Sequence, residues 1–133
     1  MNGFCLGVAF SVIEAVIPTD ALTLAWTHSV EKTRWEEDYR LVAGGLELVT
    51  ARIQGSGAGM EPPPEARWRD GFWHYRPRLP VLEKLALARS DHGGDYSLCW
   101  NGRCTALARI LPQASDRAVI ELFPCPAGDP ATR

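Results

Sequence analysis

Residues 34–53 read RWEEDYRLVAGGLELVTARI, and the period assigned to them decides the fold. At period two, Trp35, Glu37, Tyr39 and Leu41 share one face, while Arg34, Glu36, Asp38 and Arg40 share the other. The segment 45–53 alternates as well, and Ala43-Gly44-Gly45 supplies a turn between two antiparallel strands. A helical period competes: in residues 29–42, SVEKTRWEEDYRLV, Trp35 and Tyr39 stand four apart with Glu31 one turn earlier. Glu and Arg also favour helices. Alternation persists beyond this window on both sides, which favours the strand. The charges at Arg34, Glu36, Asp38 and Arg40 are then expected to be solvated, each worth at most ~1 kcal/mol.

The same period spreads outward. ALTLAWTHS (21–29) puts Leu22, Leu24, Trp26 and His28 on one face, and RWRDGFWHY (67–75) reads as a hairpin turning at Asp70-Gly71. KLALARS (84–90), DYSLCW (95–100), RCTALARI (103–110) and RAVIELF (117–123) complete an all-β expectation. This is a compact antiparallel β-barrel or sandwich of about eight to nine strands, one domain over residues 1–133. The apolar start, MNGFCLGVAFSVIEAVIPTD (1–20), reads as a strand region, although 9–17 also fits a short helix. It has no Lys or Arg ahead of the apolar run, Glu14 interrupts it, and no small-x-small cleavage site follows. No clear signal peptide is read there, and the run is too short to span a bilayer.

Hydrophobic content of 46% with 23% charged residues is that of an ordinary globular chain. A formal charge of −2, basic residues spread along the chain and no recognition motif give no reason to expect a nucleic-acid partner.

The cysteines carry more information. Cys99 and Cys104 flank Trp100-Asn101-Gly102-Arg103, and Asn-Gly favours a two-residue type I′ hairpin turn. Trp100 and Arg103 then pair beside the turn, and Cys99 faces Cys104 at the next position, within reach of a disulfide. Two reduced thiols in a cytosolic hairpin are the plainer alternative. Cys5 and Cys125 could form a second bridge if the terminal strands pair. No metal site is expected, because neither brings a ligand partner beside it. Four pairable cysteines favour an oxidising compartment.

Catalytic motifs are absent or incomplete. In GSGAGMEPPPEA (55–66), Gly55, Gly57 and Gly59 could form a bend whose amides hold an anion. Met60-Glu61 replaces the Lys-Ser/Thr of a phosphate loop, and Pro62–Pro64 forbid the helix of a dinucleotide site. A glycine-rich corner with no ligand fits equally well. His28 continues an inward face, and Glu37 lies on the inward face of the next strand, where a carboxylate needs a partner such as His28 or Arg52. A lone inward His is more often structural than a ligand. His74 and His92 read as surface residues. Antiparallel pairing returns the glycine bend to the loop after 21–28. His28, Ser29, Lys32, Glu37, Gly55, Ser56, Gly57, Gly59 and Glu61 therefore form a candidate site for a small carboxylate or amino acid.

Taken together, WTHSVEKTRWEEDY (26–39), GSGAGMEPPPEA, GFWHYRP (71–77) and LALARS…YSLCWNGRC (85–104) resemble a bacterial family known as domain of unknown function 1850. The resemblance runs from about Leu22 to Leu107. It implies small proteins often encoded beside TRAP-type transporters of the TAXI subclass, many with an export signal, and no reaction, ligand or cofactor. The resulting expectation is a non-enzymatic, periplasmic accessory or small-molecule-binding protein, partnered with a transporter subunit or substrate-binding protein. A cytoplasmic location stays open. Two alternatives remain: a small hydrolase or isomerase using His28 and Glu37 as an acid–base pair, and a structural interaction module without a pocket.

Overall fold

The computed structural model describes residues 3–8, 13–27, 32–55, 62–88, 96–112, 114 and 119–126. They form eleven strands and one short helix: β1 (Phe4–Val8), β2 (Ile13–Ile17), β3 (Ala21–Thr27), β4 (Arg34–Val42), β5 (Gly45–Gln54), β6 (Arg67–Arg69), β7 (Phe72–Tyr75), β8 (Leu85–Ala88), β9 (Ser97–Trp100), β10 (Arg103–Ala106), α1 (Leu107–Ile110) and β11 (Val119–Pro124). The all-β expectation holds, and β4 is a strand rather than a helix. The strand count exceeds the expected eight to nine because the apolar start supplies two paired strands, β1 and β2. Residues 13–17 are extended, not helical.

Two antiparallel sheets face each other in a sandwich. One has four strands in the order β2-β1-β11-β8; the other has seven, β10-β9-β3-β4-β5-β7-β6. Neither closes into a barrel. Phe4, Leu6, Ile17, Leu87, Ile120 and Leu122 from the small sheet meet Leu22, Leu24, Tyr39, Leu46, Leu48 and Leu98 from the large one, all buried. Burial of such side chains is the main favourable term in folding. The stretch 103–110 does not stay extended as expected. Leu107 and Leu111 stand four apart, and one helical turn seats both in the core, with the Leu111 N–H donating to the Leu107 carbonyl at 2.9 Å.

Both hairpin turns form as their sequences demand. Asn101 and Gly102 have φ of 53° and 77°, and Asp70 and Gly71 have 55° and 84°, the paired positive values of a type I′ turn. Trp100 pairs with Arg103 and Cys99 with Cys104, and this pair is disulfide-bonded. Cys5 is bonded to Cys125, tying β1 to the exit of β11. Gly45 is held for a different reason: a Cβ there would lie 2.0 Å from the Leu82 carbonyl oxygen, and φ is 153°. Leu46 and Leu82 exchange backbone hydrogen bonds at that point.

One irregularity governs the large sheet. Asp38 pairs with Thr50, but Tyr39 pairs with Leu48, so Val49 is an extra residue in β5. This bulge inverts the strand's parity. Leu46 and Leu48 point inward before it, Ala51 and Ile53 after it, and Thr50 and Arg52 are turned to the outer face.

Candidate functional site

The expected site draws on three strand ends. Thr27 at the end of β3 pairs with Arg34 at the start of β4, and the Arg34 N–H donates to Gln54 Oε1 at 3.4 Å at the end of β5. Lys32, with φ of 58°, stands two residues before the start of β4, and Gly55, with φ of 70°, directly follows β5. These two therefore flank neighbouring strand ends at one end of the large sheet. His28, Ser29, Ser56, Gly57, Gly59 and Glu61 lie outside the described residues, as does His92.

Glu37 does point to the inner face, between Leu24 of β3 and Ala51 of β5. Among the described residues its partner is not Arg52, and His28 lies outside them. The Tyr39 hydroxyl donates to Glu37 Oε1 at 2.9 Å, from two residues along the same strand face. Burial raises the Glu37 pKa above the usual carboxylate value, partly offset by that hydrogen bond. Burial first, and then the Glu37 charge, push the Tyr39 and Tyr75 hydroxyls upward in turn. Trp26 and Trp35 stack at 6.0 Å toward the strand ends, and Tyr96 meets Trp26 edge-on at 5.7 Å. The indole N–H of Trp35 is buried without a hydrogen-bond partner among the described residues.

Arg52 is on the opposite face because of the bulge. It lies directly across from Glu36, and its Nε donates to Glu36 Oε1 at 2.6 Å. Its two terminal nitrogens grip Asp38 at 2.7 and 2.8 Å. Arg34 binds the second Glu36 oxygen at 2.6 Å, and the Thr23 hydroxyl donates to Asp38 Oδ1 at 2.6 Å. The charges of β4 are thus not individually solvated as expected. The Arg52 and Glu36 side chains are only 18% and 17% exposed, and they act as one network. Burial alone would raise the Glu36 and Asp38 carboxyls. The hydrogen bonds and charges of Arg52, with Arg34 at Glu36 and Thr23 at Asp38, outweigh it and hold both below their usual values. The Asp38 bonds, with those to Glu36, likewise raise the Arg52 pKa against its own desolvation.

A second concentration of charge lies along the β6–β7 edge. A groove of about 930 Å³ there is lined by Arg67, Arg69, Arg76, Arg78, His74 and Trp68, with Thr50, Glu65, Tyr75 and Pro77. His74 lies at the surface, partly covered, and its Nε2 donates to the Arg69 carbonyl at 3.1 Å. The basic residues were expected to be spread out. The hairpin gathers four of them, because Arg67 pairs with His74, Arg69 with Phe72, and Arg76 and Arg78 follow directly. The signal was in the sequence as Arg-x-Arg on each side of an Asp-Gly turn.

The family described as Domain of unknown function (DUF1850) matches residues 22–107, more than half of the chain. The chain belongs to the DUF1850 family. No curated protein and no solved structure matches it. The DUF1850 match runs from the second residue of β3 through β10, and so takes in nearly the whole seven-stranded sheet along with β8. The Glu37 cluster, the Arg52 network and the arginine groove all fall inside it. No helix among the described residues is long and apolar enough to cross a membrane, and no group of three or more His, Cys, Asp or Glu there is placed to hold a metal.

Proposed function

We propose that this DUF1850 protein works outside the cytoplasm as a non-enzymatic accessory of a TRAP-type transporter of the TAXI subclass, binding a small carboxylate or amino acid. The observation that carries this reading is the pair of disulfides, Cys5–Cys125 and Cys99–Cys104. Such bonds persist in oxidising compartments and are rare in a reducing cytosol. The neighbouring genes of the family it resembles supply the transporter. The binding site is the end of the large sheet where Lys32 and Gly55 flank adjacent strand termini, with Lys32 providing charge and Gly55 a backbone amide open to close approach.

A thermal-shift screen of the oxidised protein against carboxylates and amino acids tests the binding role, since a ligand that prefers the native state raises its melting temperature. For a monocarboxylate or amino acid, a saturable rise that disappears in Lys32→Ala is expected. Fractionation tests the compartment: oxidised protein should be found outside the cytoplasm. Protein confined to the cytoplasm with four free thiols would overturn the reading.

A further inference from the structure

We propose that the groove along the β6–β7 edge is a second, separate binding site for a small multivalent anion, a di- or tricarboxylate or a phosphate, held by Arg67, Arg69, Arg76 and Arg78. The partners of the arginines distinguish this place from the rest of the sheet. Arg34, Arg40 and Arg52 each hold a carboxylate within 2.8 Å. None of the four groove arginines makes an ion pair among the described residues, although Glu65 lines the same groove. Among the described residues four arginines and one carboxylate line the groove, a local excess of positive charge. A bound anion relieves that repulsion, and the planar forks suit two-oxygen recognition of carboxylate or phosphate.

The backbone presents these groups in a fixed arrangement. Arg67 and Arg69 are carried on paired β6, opposite His74 and Phe72. Arg76 and Arg78 bracket Pro77, whose ring restricts the backbone between them. The His74 Nε2–H is committed to the Arg69 carbonyl, so the ring is held against the strand that carries Arg67 and Arg69. The groove's volume of about 930 Å³ falls in the range of small-molecule sites. Arg69 lies level with Gln54 across Phe72, but Arg76 and Arg78 are set apart from the Lys32–Gly55 end. Gln54 pairs with Phe72 and Ala51 with Tyr75, so the chain beyond Tyr75 runs toward Thr50 and away from Gly55.

Isothermal titration of the oxidised full chain with citrate, succinate and inorganic phosphate, each at ionic strength matched with sodium chloride, tests the site. Saturable one-to-one binding is expected for at least one of the three. The ratio of the carboxylate and phosphate dissociation constants then identifies the ligand's source. Arg76 and Arg78 are exposed and lie outside the strands, so R76Q/R78Q should keep the native circular dichroism spectrum. This double variant should weaken binding by at least about tenfold, the loss of one or more charge-assisted hydrogen bonds. The binding that R76Q/R78Q weakens should persist in Lys32→Ala. Heats that sodium chloride reproduces, or unchanged affinity in R76Q/R78Q, would overturn the proposal. Binding lost in Lys32→Ala but kept in R76Q/R78Q would place the anion at the sheet end, leaving the proposed function standing and removing this site.

Discussion

Breaking the Cys5–Cys125 bridge should destabilise the protein far more than breaking Cys99–Cys104. The first spans a sequence separation of 120 and the second only 5. The loss of loop-closure entropy from the unfolded chain then gives about 5 kcal/mol for the long loop and about 2 kcal/mol for the short one. The long bridge also fastens a junction with its own hydrogen bond, the Cys125 N–H donating to the Gly3 carbonyl at 2.9 Å. Since domains of this size are stable by only about 5–15 kcal/mol, its loss consumes much of the total. Urea unfolding of the oxidised chain, C99A/C104A and C5A/C125A measures both terms. Cys5 is fully buried, so C5A/C125A also loses packing, and oxidised against reduced C99A/C104A, which differ only in the Cys5–Cys125 bond, isolates the crosslink itself. A C99A/C104A loss equal to or greater than that of C5A/C125A would refute the reasoning.

Further expectations concern the large sheet. Glu37→Gln should raise the melting temperature at pH 7, because the amide still accepts from Tyr39 while burial no longer opposes a charge. The Glu37 pKa is raised above 4.5, so the penalty is absent at low pH and grows as pH rises through the folded value; the advantage of the variant should therefore vanish below about pH 4 in a pH series of melts. Arg52→Ala leaves Asp38 with only the Thr23 hydroxyl and Glu36 with only Arg34, and should cost about 3 kcal/mol by urea unfolding, against about 1.5 kcal/mol for Glu36→Ala, which leaves the Arg52–Asp38 grip intact. Because Glu36 and Asp38 are held below their usual values, the stability from this network should be present above about pH 4 and lost on further acidification. Gly45→Ala should cost about 3 kcal/mol, since its Cβ meets the Leu82 carbonyl and its φ is unfavourable for a side chain; a neutral result would mean that the Leu46–Leu82 bridge yields easily.

Much of the architecture was legible because local signals and long-range pairing agree. Asn101-Gly102 and Asp70-Gly71 each name their turn, and the first turn sets the register that brings Cys99 against Cys104. Trp35, Tyr39 and Leu41 kept their expected face. The side of Arg52 was not legible. Continuing the alternation of Leu46 and Leu48 carries Arg52 inward toward Glu37, and only the unpaired Val49 reverses it. A bulge is a property of two strands in register, so one strand's sequence hardly marks it. Glu37 found Tyr39 instead, a partner on its own strand that a search for counter-charges passes over. The arginine groove was missed for a different reason: Arg67 and Arg78 look dispersed until the hairpin register folds them together.

The most direct test of the account is a backbone amide NMR titration of the oxidised protein with a small carboxylate. The central claim, a binding site at the end of the large sheet, predicts saturable shifts at the Lys32 and Gly55 amides, with the amides of β1 and β11 unmoved. Lys32 and Gly55 amides that stay fixed throughout the titration, at concentrations that saturate any other part of the chain, would contradict it.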